Sequence, residues 1–358
     1  MTIILIVFAS MCLIEARFAK ADQLYDDCMN IENTIAVQGI FVLLVFFRHF
    51  VQYVSLRGPY DAFARTLNSS MGQLLVTPFL FYSGFGIMES ISAKGLKYTY
   101  ALPKKILRIL LHFDLAILLY LILQLYCGKT FPIKKVLLSL IGWESIGNSN
   151  WYIFVILSLY FLTFVSFGIF NKSRFLSLIL ITVFSVVLIH IFFLYKPAYW
   201  YNTLLCFPLG MWFSFLRRPV ISQINKFPME LRKPQYLYLL SLIIVFILFC
   251  FANNKLPYDD RYSIMRSCFF VLFIVLLSMK IRINNAFVQY LGRHVFSIYI
   301  LQRLPMILLD SRGTLSYRPY MSFVLSFMTT LFIAAVFDYF VSVMDGYIIG
   351  GKKATTKT

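Results

Sequence analysis

The sequence predicts an all-α protein, a polytopic membrane bundle of ten core transmembrane helices preceded by a short N-terminal helix. Three observations lead to this reading. Hydrophobic residues make up 60% of the chain and charged residues 13%, against about a quarter charged in a soluble domain, and no soluble core could absorb that apolar content. Ten apolar segments are long enough, or nearly so, to cross a hydrocarbon core of about 30 Å at about 1.5 Å per helical residue. The connections between them alternate in basic content, as the loops of a multi-spanning chain do.

The segments follow in order. Residues 2–15 form a short apolar run with no basic residue before it. A signal peptide would carry one, so a short extra helix is the favoured reading, although Ala19-Lys20-Ala21 resembles a cleavage site. The ten core segments lie at about 35–56, 74–93, 106–126, 151–170, 175–194, 202–216, 236–252, 264–279, 286–309 and 319–342. The two shortest, 202–216 and 264–279, suit tilted or incomplete spans. The chain divides into an N-terminal extension (1–30), a membrane domain (31–345) and a basic tail (346–358). There is no internal repeat, and the longest connections are too short to fold alone. Any chemistry must therefore take place in the helical bundle or at its mouths.

Charge sets the orientation. One set of connections, which includes Lys94, Lys97, Lys104, Lys105, Arg108, Arg217 and Arg218 and ends at Lys352, Lys353 and Lys357, holds nearly twice the Lys and Arg of the other. The positive-inside rule places the richer set and the C-terminus in the cytoplasm. The net charge of +18 does not indicate nucleic acid, because the basic residues form no arm or patch; membrane lipids are the partners this distribution suits. The six cysteines lack any CxxC pairing and read as packing residues, and no metal site is predicted.

Five stretches carry candidate chemistry. Arg48 and His49 lie side by side in the first core segment, where ionisable groups are costly and usually functional, and imidazole suits proton transfer near neutral pH. Gln38 shares a helix face with His49, about 16 Å away along the axis. The alternative is a packing histidine satisfied by a neighbouring helix. In the second segment, Phe81-Tyr82-Ser83-Gly84-Phe85 offers small residues for close approach of a helix or ligand. In the third, Lys105 and Arg108 share one face at a cytoplasmic mouth, where they could hold phosphates or anchor to headgroups. His112 and Asp114 lie just inside. Asn150-Trp151-Tyr152 begins the fourth segment and would suit either an interfacial belt or a sugar. The late stretch Leu291-Gly292-Arg293-His294 to Ser297-Ile298-Tyr299 leads to Gln302 and Arg303, whose buried charge needs a partner, with Asp338 and Asp310 as candidates.

Together these stretches resemble acyltransferase family 3, the integral-membrane sugar O-acyltransferases, in the family's order over about residues 31–342. Gln38-Gly39-Ile40 to His49 is similar to the family's first-helix pattern, a basic residue and Gly-Ile followed after ten intervening residues by His. Phe81-Tyr82-Ser83-Gly84-Phe85 resembles its Phe-Leu-Ser-Gly-Phe element, and Lys105-Ile106-Leu107-Arg108-Ile109 its Arg-x-x-Arg-Ile motif. Asn150-Trp151-Tyr152-Ile153 resembles its Trp-Phe-Leu element. Leu291 to Tyr299 resembles its late Leu-Gly and Ser-Ile-Tyr element. Gln38, Lys105 and Gln302 depart from it, standing where the family has a basic residue, Arg and often His.

The resemblance implies transfer of an acyl group, expected to be acetyl, from acyl-coenzyme A to a hydroxyl of a surface polysaccharide or its lipid-linked precursor in a bacterial cytoplasmic membrane. Acetyl-CoA is then a donor substrate and no cofactor is bound. His49 acts as general base or transient acyl carrier, with Arg48 beside it. Gln38, Ser83, Lys105 and Arg108 hold the donor, and Asn150 and Trp151 the sugar. Arg48, Ser83 or Trp151 would stabilise the oxyanion. The rival from another class is a transporter or flippase of a glycan or lipid-linked sugar, which would show paired repeats or matched broken helices. A metal-dependent glycosyltransferase would draw on Asp61 or the Asp259-Asp260 pair.

Overall fold

In a bilayer the backbone must satisfy its own hydrogen bonds, so an apolar segment of spanning length becomes a helix. The computed structural model follows this rule. It describes residues 1–20, 22–224, 234–255 and 261–348, and the Asp259-Asp260 pair and Lys352 lie outside them. The helices run α1 (Thr2–Leu13), α2 (Ile31–Phe50), α3 (Ala62–Met71), α4 (Thr77–Lys94), α5 (Leu96–Tyr126), α6 (Ile133–Leu140), α7 (Trp151–Ile169) and α8 (Arg174–Tyr195). They continue as α9 (Cys206–Ile224), α10 (Pro234–Lys255), α11 (Arg261–Ser278), α12 (Ala286–Arg293), α13 (Val295–Leu301), α14 (Arg303–Ser311), α15 (Thr314–Tyr317) and α16 (Pro319–Ile348). The described residues include eight helices or helical runs long and apolar enough to cross a membrane. The protein is a polytopic membrane helical bundle.

Two expected spans differ from the simple picture. Residues 202–216 fall within α9, which starts at Cys206 and runs to Ile224. Residues 286–309 are not one helix but three short ones, α12 to α14, with breaks at His294 and Gln302. Irregular backbone at membrane depth is tolerated where it is buried in protein or lines a cavity, and here the broken run does both. Among the described residues there is also a two-residue ladder, β1 (Arg17–Phe18) antiparallel to β2 (Ile281–Arg282).

Helix α1 forms as expected. Leu5, Phe8 and Cys12 face inward, and Phe8 packs on Phe323 and Phe327 of α16. The Asn285 side chain caps its far end, donating to the carbonyls of Met11, Cys12 and Ile14 at 2.9–3.1 Å. The same residue's Oδ1 accepts from Val288 N and so begins α12.

Glycines set the closest helix pairs. A Cβ on Gly39 would lie 2.1 Å from the Val288 carbonyl, and one on Gly292 2.0 Å from that of Ile35, so α2 and α12 touch backbone to backbone. Gly84 and Gly210 do the same for α4 and α9, each meeting the other helix's carbonyl (Phe207 or Phe81) at 2.0 Å. The Ser83-Gly84 element therefore packs a helix through Gly84 and leaves Ser83 facing a cavity.

Candidate active site

Four parts of the fold build the site, and each contributes to two cavities. The first, of about 420 Å³, is lined by Arg48 and His49 near the C-terminal end of α2 and by Gln73 and Val76 just before α4. Asn150 and Trp151 at the start of α7, with Tyr299 and Arg303 of the broken run, complete it. The second, of about 210 Å³, is lined further along the same elements, by Gln38 of α2, Ser83 of α4, Tyr152 and Tyr160 of α7, and Phe296 and Tyr299 of α13. On every element the first-cavity residues lie toward one end and the second-cavity residues toward the other. The two chambers are therefore stacked along the bundle, and Tyr299 lines both.

His49 lines the first chamber. Its Nδ1 is buried and has no hydrogen-bond partner among the described residues. Gln302 lies beside it; its Nε2 donates to the Tyr299 carbonyl at 3.0 Å and its Oε1 is buried and unpartnered. Two guanidinium groups share the chamber. Arg48 Nη1 donates to the carbonyl and Oδ1 of Asn68 at 2.5 and 3.0 Å. Arg303 donates to Ser149 Oγ at 3.1 Å, Tyr53 OH at 3.4 Å and Gln52 Oε1 at 2.5 Å.

These contacts correct the expected partner of Arg303. Neither Asp338 nor Asp310 takes it; neutral oxygens do. Asp338 instead pairs with His294 Nδ1 and accepts from Ser297 Oγ, because both lie before the break at Gln302, whereas Arg303 lies beyond it.

The loop before α7 is built to hold its shape. Asn148 Oδ1 accepts from Ile146 N at 3.1 Å, Gln124 Nε2 donates to the Ile146 carbonyl at 2.8 Å, and Asn150 Nδ2 donates to the Gly142 carbonyl at 2.8 Å. Gly147 has φ +115°, and a Cβ there would fall 2.4 Å from Gln124 Nε2. Lys196 clamps the loop from α8's end, its Nζ 3.8 Å from the Trp143 ring centroid and bonded to the Trp143 carbonyl at 2.9 Å. Burial holds the Lys196 amine below its usual pKa, partly offset by Glu144. Asn150 thus both lines the chamber and fixes the chain that places Trp151.

The second chamber gathers the expected donor-side residues unevenly. Gln38 and Ser83 line it, and Ser83 Oγ shares a 2.6 Å hydrogen bond with Tyr160 OH. Ser83 is therefore not beside His49, so of the expected oxyanion donors only Arg48 and Trp151 share the imidazole's chamber. Lys105 Nζ stands 4.5 Å from the Tyr160 ring centroid. Arg108 is exposed and pairs with Asp345 of α16 at 3.4 Å, and His112 Nε2 meets the other oxygen of that carboxylate at 3.1 Å. Gln52 and Tyr160 carry no local signal in the sequence that marks them. Phe296, Tyr299 and Arg303 carried a signal in their spacing of three and four, which places them on one helical face.

The fold and these chambers define an integral-membrane protein with a buried imidazole lining the larger of two stacked cavities. The chain belongs to acyltransferase family 3: the family's model, an acyltransferase domain, matches residues 33–339. The protein is therefore a membrane-embedded acyltransferase that moves an acyl group to an acceptor. No curated protein and no solved structure matches the chain.

Proposed function

We propose that the protein transfers an acetyl group from acetyl-CoA on the cytoplasmic side to a hydroxyl of a cell-surface polysaccharide or its lipid-linked precursor, in a bacterial inner membrane. The observation that carries this reading is the pair of stacked chambers on common helices. With the basic-rich connections inside, the smaller chamber opens toward the cytoplasm and the larger one, with His49, lies nearer the outer face. Donor and acceptor then approach from opposite sides. Paired repeats, which a transporter would use, have no counterpart in the sequence.

In this reading Lys105 holds coenzyme A phosphates at the inner mouth, and Arg108 joins it by exchanging Asp345 for phosphate. The pantetheine arm runs past Gln38 and Ser83. An acceptor sugar lies against Trp151 and the polar loop at Asn150. His49 takes the acceptor hydroxyl proton as that oxygen bonds to the thioester carbonyl carbon. The carbon–sulfur bond then breaks, and the thiolate leaves with the proton returned by the imidazolium. Arg48 and Arg303 supply positive charge where the carbonyl oxygen turns negative.

The test is a labelled-acetyl-CoA assay on purified protein with the native surface glycan. Wild type labels the glycan, and His49→Ala at equal membrane abundance lowers the rate by about 100-fold or more. Full activity in His49→Ala would remove the mechanism.

A further inference from the structure

The side chain that the two chambers share is Tyr299. Its ring packs edge-on against Tyr152, which lines the smaller chamber, with centroids 5.3 Å apart. The His49 ring stands 6.2 Å from it, centroid to centroid. Tyr299 is 5% exposed, and its hydroxyl is buried. Packing on Tyr152, together with a contact of the hydroxyl with the Tyr152 backbone, holds the ring. The backbone beneath it is the broken run, since α13 ends at Leu301 and α14 begins at Arg303.

We infer that the Tyr299 ring, backed by Tyr152, is the partition between the two chambers. It keeps acceptor-side water off the thioester and limits the acyl groups that can reach His49 to short ones. The inference rests on the transfer reading above. The larger chamber is lined by groups that favour water, among them Arg48, Gln52, Asn150 and Arg303. A thioester open to that water would be hydrolysed, with water's oxygen bonding to the carbonyl carbon, the carbon–sulfur bond breaking and the thiol leaving with a proton. Exclusion of water from a reacting centre suppresses such side reactions. The acyl group, by contrast, must pass the ring edge to meet the acceptor oxygen, so the gap beside Tyr299 acts as a sieve for its length. Tyr299 is a positioning and specificity residue in this scheme; the proton transfer remains with His49.

The experiment measures acyl-CoA hydrolysis without acceptor, and transfer with acceptor, for acetyl-CoA and hexanoyl-CoA. It uses full-length protein in detergent or nanodiscs. Tyr299→Ala removes the ring and is expected to raise acceptor-free hydrolysis of acetyl-CoA by about ten-fold or more. It should also shift preference toward hexanoyl-CoA by about ten-fold or more, since each methylene a pocket accepts or rejects is worth about that much. Tyr299→Phe keeps the ring and should leave both readouts near wild type. Tyr152→Ala, which removes the backing ring, should move both in the direction of Tyr299→Ala and carries the test if that variant does not fold. If both alanine variants transfer acetyl without extra hydrolysis and with unchanged chain-length preference, the partition is refuted and the transfer reading stands. If wild type consumes no acyl-CoA with any acceptor, the transfer reading itself fails.

Discussion

His49 draws its importance from what does not touch it. Among the described residues no carboxylate pairs with the ring, Nδ1 is buried without a partner, and two guanidinium groups stand in the same chamber. In the proposed reaction the ring takes the proton of a bound hydroxyl, and the chamber around it has room for an acceptor. Lys105 and Arg108 divide in the structure: the Lys105 amine lies over the Tyr160 ring at the smaller chamber, while Arg108 is held by Asp345. Lys105→Ala is therefore expected to raise the apparent KM for acetyl-CoA by about ten-fold or more, as loss of a hydrogen bond to a charged group does, with little change in kcat. Steady-state kinetics against acetyl-CoA check this, and an unchanged KM would return Lys105 to the role of a headgroup anchor. Asp345→Asn is expected to lower that KM, because it releases Arg108 for the donor phosphates.

The glycine contacts make a sharp prediction at the level of helix pairs. Gly39 has a carbonyl where a Cβ would sit, and Gly86, two residues beyond Gly84 on α4, has nothing within 4 Å. Gly39→Ala must push α12 away from α2, and overpacking of this kind costs about 1–3 kcal/mol. Gly86→Ala should leave stability unchanged or slightly improved, since alanine favours helix over glycine by about 1 kcal/mol. Thermal unfolding of the two variants in the same detergent would decide; equal melting behaviour would mean the α2–α12 approach is not as close as the structure has it. The broken run from α12 to α14 matters at the same scale. A continuous helix over residues 286–309 would have no cap or turn at Gln302 to place Tyr299 and Arg303 around His49.

For the molecule as a whole, the two chambers are stacked along the bundle, and in the proposed reaction orientation decides which is the donor's. In the proposed orientation, read from the alternation of Lys and Arg, the C-terminus and the smaller chamber face the cytoplasm. A reporter enzyme that is active only outside the membrane should stay inactive when fused after Thr358 and be active when inserted in the connection between α5 and α6. The reverse pattern would invert the assignment of donor and acceptor sides.

Composition, hydrophobic run length and five ordered motifs were enough to read a helical membrane acyltransferase and to single out His49, because bilayer thickness and the cost of buried charge act on the sequence directly. Gln38 and His49 on one stripe were legible for the same reason: helical spacing is local. Asp338 as a partner for Arg303 was not, because which acid meets which cation depends on a break at Gln302 that hydropathy cannot register. The division of Ser83 and His49 between chambers, the capture of Arg108 by Asp345 and the place of Tyr299 between the cavities were decided by tertiary structure alone. Each is a contact between helices far apart in the chain, and packing settles such contacts only once all the helices are in place.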